Sequence, residues 1–263
     1  MISEHLQNIK GLIIDMDGVL WRDSQPIGDL EKNFAQIASL GLKFILATNN
    51  ATRTIAEHQA KLKKFGVDIP SDQIIGSAQA TGIYLQKNFG PGTRVYVIGQ
   101  PSLVETLQNY GLEVVNEHEQ DVAVVVVSFD YNLNYTKLKT ASLFVQRGSV
   151  LIGTNSDLTF PSPDGLTPGA GINLRAVELV SNKKGIVVGK PEPLLYQMAL
   201  ERLDLLPSET LAIGDRFETD IVGAQKAGIH TALVLSGVTT RAQIEEFQPK
   251  PEIIINNLEE LVF

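Results

Sequence analysis

Short runs of apolar, mostly β-branched residues alternate with helical patterns along the whole chain. Strand-like runs begin at Lys10 (KGLII), Lys43 (KFIL), Arg94 (RVYVI), Val122 (VAVVVV), Val150 (VLIG), Ile186 (IVV), Leu211 (LAIG), Thr231 (TALVL) and Glu252 (EIII). Apolar residues recur at helical spacing before Gly41 and again before Gly66, where glycine suits a helix end. Nearly continuous apolar strands are typical of sheets covered on both faces, so the pattern predicts an α/β fold with a Rossmann-like parallel sheet.

Two polar breaks interrupt this pattern, one at Ile75–Ala78 and one at Ser181–Gly185. The segment between them has its own strands and helices and is long enough to hold a core of its own. We therefore predict a core domain formed by residues 1–77 and 184–263, with residues 78–183 inserted as a second α/β domain.

Composition narrows the class of protein. The 263 residues carry a formal net charge of -8 and include no cysteine. The charge argues against a broad nucleic-acid or anionic-membrane surface, and the lack of cysteine excludes disulfides and thiolate chemistry. The strongly apolar run from Val122 to Val127 is too short to span a bilayer, and the first residues show no signal-peptide pattern. We expect a soluble cytoplasmic protein.

Acidic pairs follow two of the predicted strands. Asp15 and Asp17 come directly after KGLII, and Asp215 and Asp220 come after LAIG. Each pair alone is also ordinary for a turn or a helix start. Because ligands bind outside the carboxyl ends of parallel strands, however, we expect these carboxylates to converge. Carboxylates are hard ligands for Mg²⁺, and one of them can act as a nucleophile.

Other polar residues follow further strands. Thr48 and Asn49 end the second strand, Lys190 follows IVV in the string GKP, and Gly18 allows the backbone to approach a phosphate closely. A loop cap or a solvated lysine would explain each residue separately. Together they form a set that neutralises the oxygens of a transferring phosphoryl group. No P-loop, nucleophile elbow or histidine spacing for zinc occurs.

The motifs D-x-D-G, T-N, G-K-P and G-D-x-x-x-T-D, in this order, resemble those of the haloacid dehalogenase (HAD) superfamily. The strings TNNATRT and TNSDLTFPSPDGLTPGAG are further similar to its NagD/p-nitrophenylphosphatase-like branch, which has a large α/β cap. This resemblance implies a phosphatase in which Asp15 attacks phosphorus to form an aspartyl-phosphate and Asp17 is the general acid and base. It also implies Mg²⁺ held by Asp15, the Asp17 backbone carbonyl and Asp215, with Asp220 orienting metal-bound water.

The resemblance implies phosphate binding by Gly18, Thr48, Asn49, Asn50 and Lys190. The implied substrate is a small phosphorylated metabolite, such as p-nitrophenyl phosphate, phosphoglycolate, pyridoxal phosphate or a nucleotide monophosphate. A homodimer formed through the cap is also expected, with no nucleic-acid or membrane partner. Two alternatives remain: a phosphorylatable receiver-type signalling domain, which is usually shorter and lacks a D-x-D acid, and a non-catalytic HAD fold used for binding.

Overall fold

A computed structural model describes residues 8–162 and 165–261. The first seven residues, the last two, and residues 163 and 164 of the string TNSDLTFPSPDGLTPGAG lie outside the described residues. The strands are β1 Gly11–Ile14, β2 Trp21–Arg22, β3 Gln25–Pro26, β4 Lys43–Thr48, β5 Ile74–Gly76, β6 Arg94–Ile98, β7 Glu113–Val115, β8 Val124–Val127, β9 Val150–Gly153, β10 Thr159–Ser162, β11 Gly165–Pro168, β12 Ile186–Val187, β13 Thr210–Gly214, β14 His230–Val234 and β15 Ile253–Ile255.

The helices begin and end close to the predicted signals. They are α1 Leu30–Ser39, α2 Ile55–Lys64, α3 Ser77–Phe89, α4 Pro101–Asn109, α5 Tyr135–Gln146, α6 Ala170–Ser181, α7 Leu194–Leu203 and α8 Val222–Lys226. Asp29 caps α1 by accepting a hydrogen bond from the Lys32 N–H, and Asn134 caps α5 by accepting one from Lys137. No helix among the described residues is both long and apolar enough to cross a bilayer.

The chain divides into two compact units. The first contains residues 1–48, 55–75 and 191–263, and the second contains residues 49–54 and 76–190. The first unit is thus built from chain segments on both sides of the second. This organisation confirms the predicted fold class of a parallel-sheet α/β domain that carries an inserted α/β domain.

The first unit, here called the six-stranded unit, contains a sheet of order β15-β14-β13-β1-β4-β5. The five strands from β15 to β4 pair in parallel, with Gly11 of β1 opposite Thr210 of β13 on one side and Lys43 of β4 on the other. All four residues of β1 are buried, as expected for a central strand with helices on both faces. The carboxyl ends of β1, β4 and β13 therefore lie side by side at one edge.

The second unit, here called the five-stranded unit, contains a parallel sheet of order β12-β9-β8-β6-β7. Strand β12 was predicted to belong to the core, but Ile186 pairs with Ile152 of β9 in this second sheet. The turn before β12 is attached to the end of α6, because the Gly185 N–H donates to the Glu178 carboxylate at 2.9 Å. The five-stranded unit accordingly runs on to Lys190 rather than ending at residue 183.

Short strands form the outer edges of both sheets. β15, β5 and β7 have three residues each, and β12 has two, whereas β4 and β13 inside the six-stranded sheet have six and five. Two hairpins that the apolar pattern did not predict, β2–β3 and β10–β11, pair outside these sheets. Their strands are short and carry polar residues or proline, so they show no apolar run.

Candidate active site

The chain turns sharply after β1, and this turn carries Asp15, Asp17 and Gly18. The Asp15 N–H still donates to the Ile213 carbonyl of β13 at 2.8 Å, so Asp15 is held in the sheet register. A helical turn then begins, in which the Leu20 N–H donates to the Met16 carbonyl at 2.9 Å. Gly18 has a φ of +85°, and a side chain there would lie 2.4 Å from Asp215 Oδ2. Glycine is required because the backbone must pass this close to a carboxylate.

The second acidic pair follows β13. Asp215 comes immediately after the strand and is buried, at 4% exposure. Phe217–Ile221 then forms a π-helical turn that places Asp220 back toward the strand end. One oxygen of Asp220 accepts a hydrogen bond from the Arg216 N–H at 3.0 Å, and Tyr196 donates to the Asp220 carbonyl at 2.8 Å. Asp220 is therefore held by hydrogen bonds to both its side chain and its backbone.

Three of the predicted acids meet at this edge of the sheet. Asp15, Asp215 and Asp220 are all buried, and each offers a carboxylate oxygen within 4.8 Å of the other two. Like charges gathered in a buried place are costly unless a cation or a proton compensates them. A set of hard oxygen donors of this kind fits Mg²⁺.

Asp17 lies two residues further along the same turn and is partly buried. Its Oδ1 accepts a hydrogen bond of 2.7 Å from the indole Nε1–H of Trp21, a residue that the sequence did not single out. The backbones of these two residues also form an isolated bridge, and the Gly18 N–H donates to the Trp21 carbonyl at 2.8 Å. The Asp17 carboxyl is thus oriented from within its own turn.

The loop after β14 contributes residues that sequence reasoning missed. Asp215 Oδ2 accepts a hydrogen bond from the Val238 N–H at 2.6 Å, and the Asp215 carbonyl accepts one from Thr239 at 3.1 Å. A side chain at Gly237 would come within 1.8 Å of Asp215 Oδ2, so this position also excludes any larger residue. The signal was available, because SGVTT follows a strand in the same way as the acidic pairs do.

Thr48 ends β4 in the six-stranded unit and is buried at 1% exposure. Asn49 and Lys190 are found together in the five-stranded unit. The Asn49 side-chain carbonyl accepts from the Lys190 N–H at 2.8 Å, and the Asn49 amide donates to the Lys190 carbonyl at 3.0 Å. Lys190 is among the largest fully buried side chains described. Asn49 therefore fixes the backbone of Lys190 with two opposed hydrogen bonds.

Further residues of the five-stranded unit support Asn49. The Asn155 amide donates to the Asn49 carbonyl at 2.9 Å, and Asp157 accepts from the Asn49 amide at 3.1 Å. Asn50 closes its own turn, since its side-chain oxygen accepts from both the N–H and the hydroxyl of Thr52. The structure thus brings Asp15, Asp215 and Asp220 together in one unit. It brings Asn49 and Lys190 together in the other.

The sequence matches known families over most of its length. Residues 12–113 match the family described as haloacid dehalogenase-like hydrolase, and residues 187–261 match the family described as HAD-hydrolase-like. The acid sugar phosphatase of Staphylococcus saprophyticus is 32% identical over 257 residues, which cover 98% of this chain and 98% of the relative. The chain belongs to the haloacid dehalogenase superfamily. Within it, the relatives are phosphatases, so this HAD-like chain is a hydrolase that acts on small phosphate compounds.

Solved structures define the branch. The 4-nitrophenylphosphatase of Thermotoga maritima has a TM-score of 0.92 and 31% identity, with 98% of each chain covered. The p-nitrophenyl phosphatase of Archaeoglobus fulgidus has a TM-score of 0.89 and 32% identity, covering 95% of this chain and 97% of that one. A glycerol phosphate phosphatase of Mycobacterium tuberculosis, in complex with magnesium, has a TM-score of 0.89 and 29% identity, covering 98% of this chain and 78% of that one. The predicted NagD/p-nitrophenylphosphatase-like membership is confirmed.

Proposed function

We propose that this HAD phosphatase hydrolyses a small phosphomonoester with the help of Mg²⁺, through an aspartyl-phosphate on Asp15. The observation that supports the proposal best is the buried cluster of Asp15, Asp215 and Asp220, whose carboxylate oxygens lie within 4.8 Å of one another. Such a cluster at the ends of adjacent parallel strands is where an α/β sheet binds its ligand.

Asp15 is the proposed nucleophile. Its carboxylate oxygen attacks phosphorus while the bond between phosphorus and the ester oxygen breaks, and the electron pair leaves with that oxygen. Asp17 is the proposed general acid, which gives its proton to the leaving oxygen and becomes a carboxylate. In the second half, Asp17 removes a proton from water as the water oxygen attacks phosphorus. The bond to Asp15 breaks, orthophosphate is released, and Asp17 is protonated again.

The metal would be held by the carboxylates of Asp15 and Asp215 and by the backbone carbonyl of Asp17, with Asp220 orienting a metal-bound water. When bound, Mg²⁺ supplies positive charge that neutralises the phosphoryl oxygens. The hydrogen bond from the Val238 N–H fixes one oxygen of Asp215, and the Arg216 N–H fixes one oxygen of Asp220. These contacts support the donor set, because ligands held by outer hydrogen bonds keep a fixed coordination geometry.

The proposed phosphate ligands are Gly18, Thr48, Asn49, Asn50 and Lys190, as the motif resemblance implies. Lys190 is the cation of this set, and its side chain is buried. The reciprocal hydrogen bonds between Asn49 and the Lys190 backbone support the proposal, because a phosphate site works best when its donors are already in place.

The relatives named for acid sugars, 4-nitrophenyl phosphate and glycerol phosphate support a small, non-polymeric phosphomonoester as the substrate. The test is a panel of sugar phosphates, glycerol phosphate, phosphoglycolate, pyridoxal phosphate and nucleotide monophosphates, each assayed with Mg²⁺ by phosphate release. We expect turnover of at least one metabolite. Rapid acid quench should trap a phosphorylated protein, and Asp15→Asn should show neither turnover nor this phosphorylated form. A phosphorylated Asp15 that accumulates without turnover would favour the receiver-type function instead. The homodimer stays a prediction, checked by sedimentation.

A further inference from the structure

Trp21 contacts the proposed acid without having a part in the mechanism above. Its indole N–H donates to Asp17 Oδ1 at 2.7 Å, and the residue is 1% exposed. Indole is a donor only, so Oδ1 must be the accepting oxygen of Asp17 at all times. A proton carried by the protonated carboxyl therefore belongs on Oδ2, and the indole determines which of the two oxygens delivers it.

The indole itself is held on several sides. Its strand β2 pairs with β3, so that Trp21 lies opposite Pro26. The Phe65 ring lies 6.1 Å from the Trp21 ring, and Lys61 Nζ lies 4.0 Å above the indole. Lys61 is in turn fixed by a 2.8 Å hydrogen bond to the Asp23 carbonyl in the β2–β3 turn. A cation over the ring face is attracted to the indole and polarises it, which strengthens the N–H as a donor.

We propose that Trp21 is a positioning residue that aims the Asp17 carboxyl at the leaving oxygen of the substrate. This inference rests on the proposed function, in which Asp17 Oδ2–H gives its proton to the ester oxygen as that oxygen leaves phosphorus with the electron pair. Without the indole N–H, Asp17 loses the donor that fixes its Oδ1, and its proton is less often in line with the leaving oxygen. The effect is confined to substrates whose leaving oxygen needs that proton.

The role of Trp21 can be measured by comparing substrates whose leaving groups differ in their need for a proton. p-Nitrophenolate departs without protonation, whereas the alkoxide of glycerol phosphate does not, so the two esters depend differently on Asp17. The ratio kcat/KM includes only the steps up to departure of the leaving group and is unaffected by the later attack of water. Because positioning retains part of a general-acid effect, we expect Trp21→Phe to lower kcat/KM about tenfold or more for glycerol phosphate and less than about threefold for p-nitrophenyl phosphate.

Trp21 is the single tryptophan of the chain, which allows a cleaner replacement. Growth with β-(3-benzothienyl)alanine in place of tryptophan exchanges the N–H for sulfur at this position alone and keeps the ring volume. We again expect kcat/KM to fall more for glycerol phosphate than for p-nitrophenyl phosphate. This second variant keeps the test decisive if Trp21→Phe folds poorly. Phe65→Leu serves as the matched control, because it removes a ring contact with Trp21 and leaves the N–H in place; we expect an equal change for both esters.

Two outcomes overturn different claims. Asp17→Asn should lower kcat/KM more for glycerol phosphate than for p-nitrophenyl phosphate. If it does and neither Trp21 replacement does, the positioning role of Trp21 is wrong and the proposed mechanism stands. If Asp17→Asn keeps full turnover of glycerol phosphate, Asp17 is not the acid and the proposed function itself fails. In the Asp17→Asn background, replacement of Trp21 should add no further difference between the two esters, because both changes act on one proton transfer.

Discussion

The two units contain parallel sheets of the same general design, but the polar residues at their strand ends differ. In the six-stranded unit, Asp15, Asp215 and Asp220 bring three carboxylates within 4.8 Å. In the five-stranded unit, the residues after β8 and β9 hydrogen-bond each other, since Thr154 donates to Ser128 at 2.8 Å. Asn173 of α6 donates to the Ser128 carbonyl at 2.9 Å. Three carboxylates lie together at the first edge, whereas the polar side chains at the second edge pair with one another.

Asp130, an acid that follows β8 in the five-stranded unit, also differs from the three clustered acids. Asp130 has a side chain that is 1% exposed, and its Oδ2 forms an ion pair of 2.5 Å with Lys137. The Asn132 N–H donates to its other oxygen at 2.8 Å. Asp130 is thus one carboxylate paired with one lysine, whereas Asp15, Asp215 and Asp220 form a group of three carboxylates whose oxygens could share a cation. The comparison teaches that acids at strand ends differ by their grouping: a single acid paired with a lysine is suited to a structural role, and three neighbouring acids offer the oxygen donors of a metal site.

The strongest test of this contrast removes the proposed nucleophile. Asp15→Asn is nearly isosteric and should lower kcat by about 10⁴-fold or more, because an amide cannot replace the attacking carboxylate. Phosphate release with the best substrate of the panel is the measurement, and circular dichroism checks the fold. Asp68→Asn, which changes an exposed acid paired with Lys63 at 3.6 Å, is the matched control and should leave kcat unchanged. Substantial turnover by a folded Asp15→Asn protein would exclude the covalent route.

The second test concerns the metal. Turnover should vanish in EDTA and return with Mg²⁺, while Ca²⁺ should inhibit because it prefers longer bonds and more ligands. Mg²⁺ at a hundred times its dissociation constant should raise the free energy of unfolding by about 2.7 kcal/mol. Asp215→Asn should remove most of this gain, and Asp130→Asn should retain it. Thermal unfolding with and without Mg²⁺ measures this gain. If both variants lose the Mg²⁺-dependent gain equally, the proposal that Mg²⁺ binds at Asp215 is wrong.

Asp130→Asn should act on stability instead. It leaves Lys137 without its ion-pair partner beside a buried amide, and we expect a loss of about 1–3 kcal/mol in the free energy of unfolding. Urea titration at neutral pH measures the change, with Lys137→Met as the companion variant. If the pair is the cause, the double variant will lose less than the sum of the two single losses.

A smaller effect should depend on pH. Burial disfavours the Glu178 carboxylate, but hydrogen bonds from the Gly185 N–H and from Arg175 outweigh it and lower the pKa of Glu178. A carboxyl whose pKa is lowered by folding contributes stability above its unfolded pKa and loses it as pH falls through the folded pKa. Glu178→Gln should therefore cost about 1–2 kcal/mol at neutral pH. The difference from the native chain should shrink in acid, below the usual glutamate range; a constant difference from pH 7 down to pH 3 would contradict it.

The sequence predicted the parts of the fold and site that local pattern determines. Apolar runs identified strands such as β1, β4 and β13, and Asp15 and Asp215 lie directly after two of these strands, as predicted. The indole contact of Trp21 was not predictable, because it depends on how the turn after β1 folds back. The loop SGVTT could have been noted from its place after a strand, but the sequence does not show that its Val238 N–H donates to Asp215. The assignment of β12 failed for the same reason, since a two-residue strand shows no preference between two sheets.

The short outer strands have a consequence for the behaviour of the protein at high concentration. An exposed sheet edge can recruit a strand from another molecule and so begin aggregation, and long flat edges do this best. Here β12 offers two residues and β7 and β15 three each, while the three residues of β5 are buried, so that few backbone groups are available to such a strand. Lys183 and Lys184 are exposed just before β12 and place positive charge at this edge. Sheets built with such edges favour a protein that stays dispersed when it is concentrated.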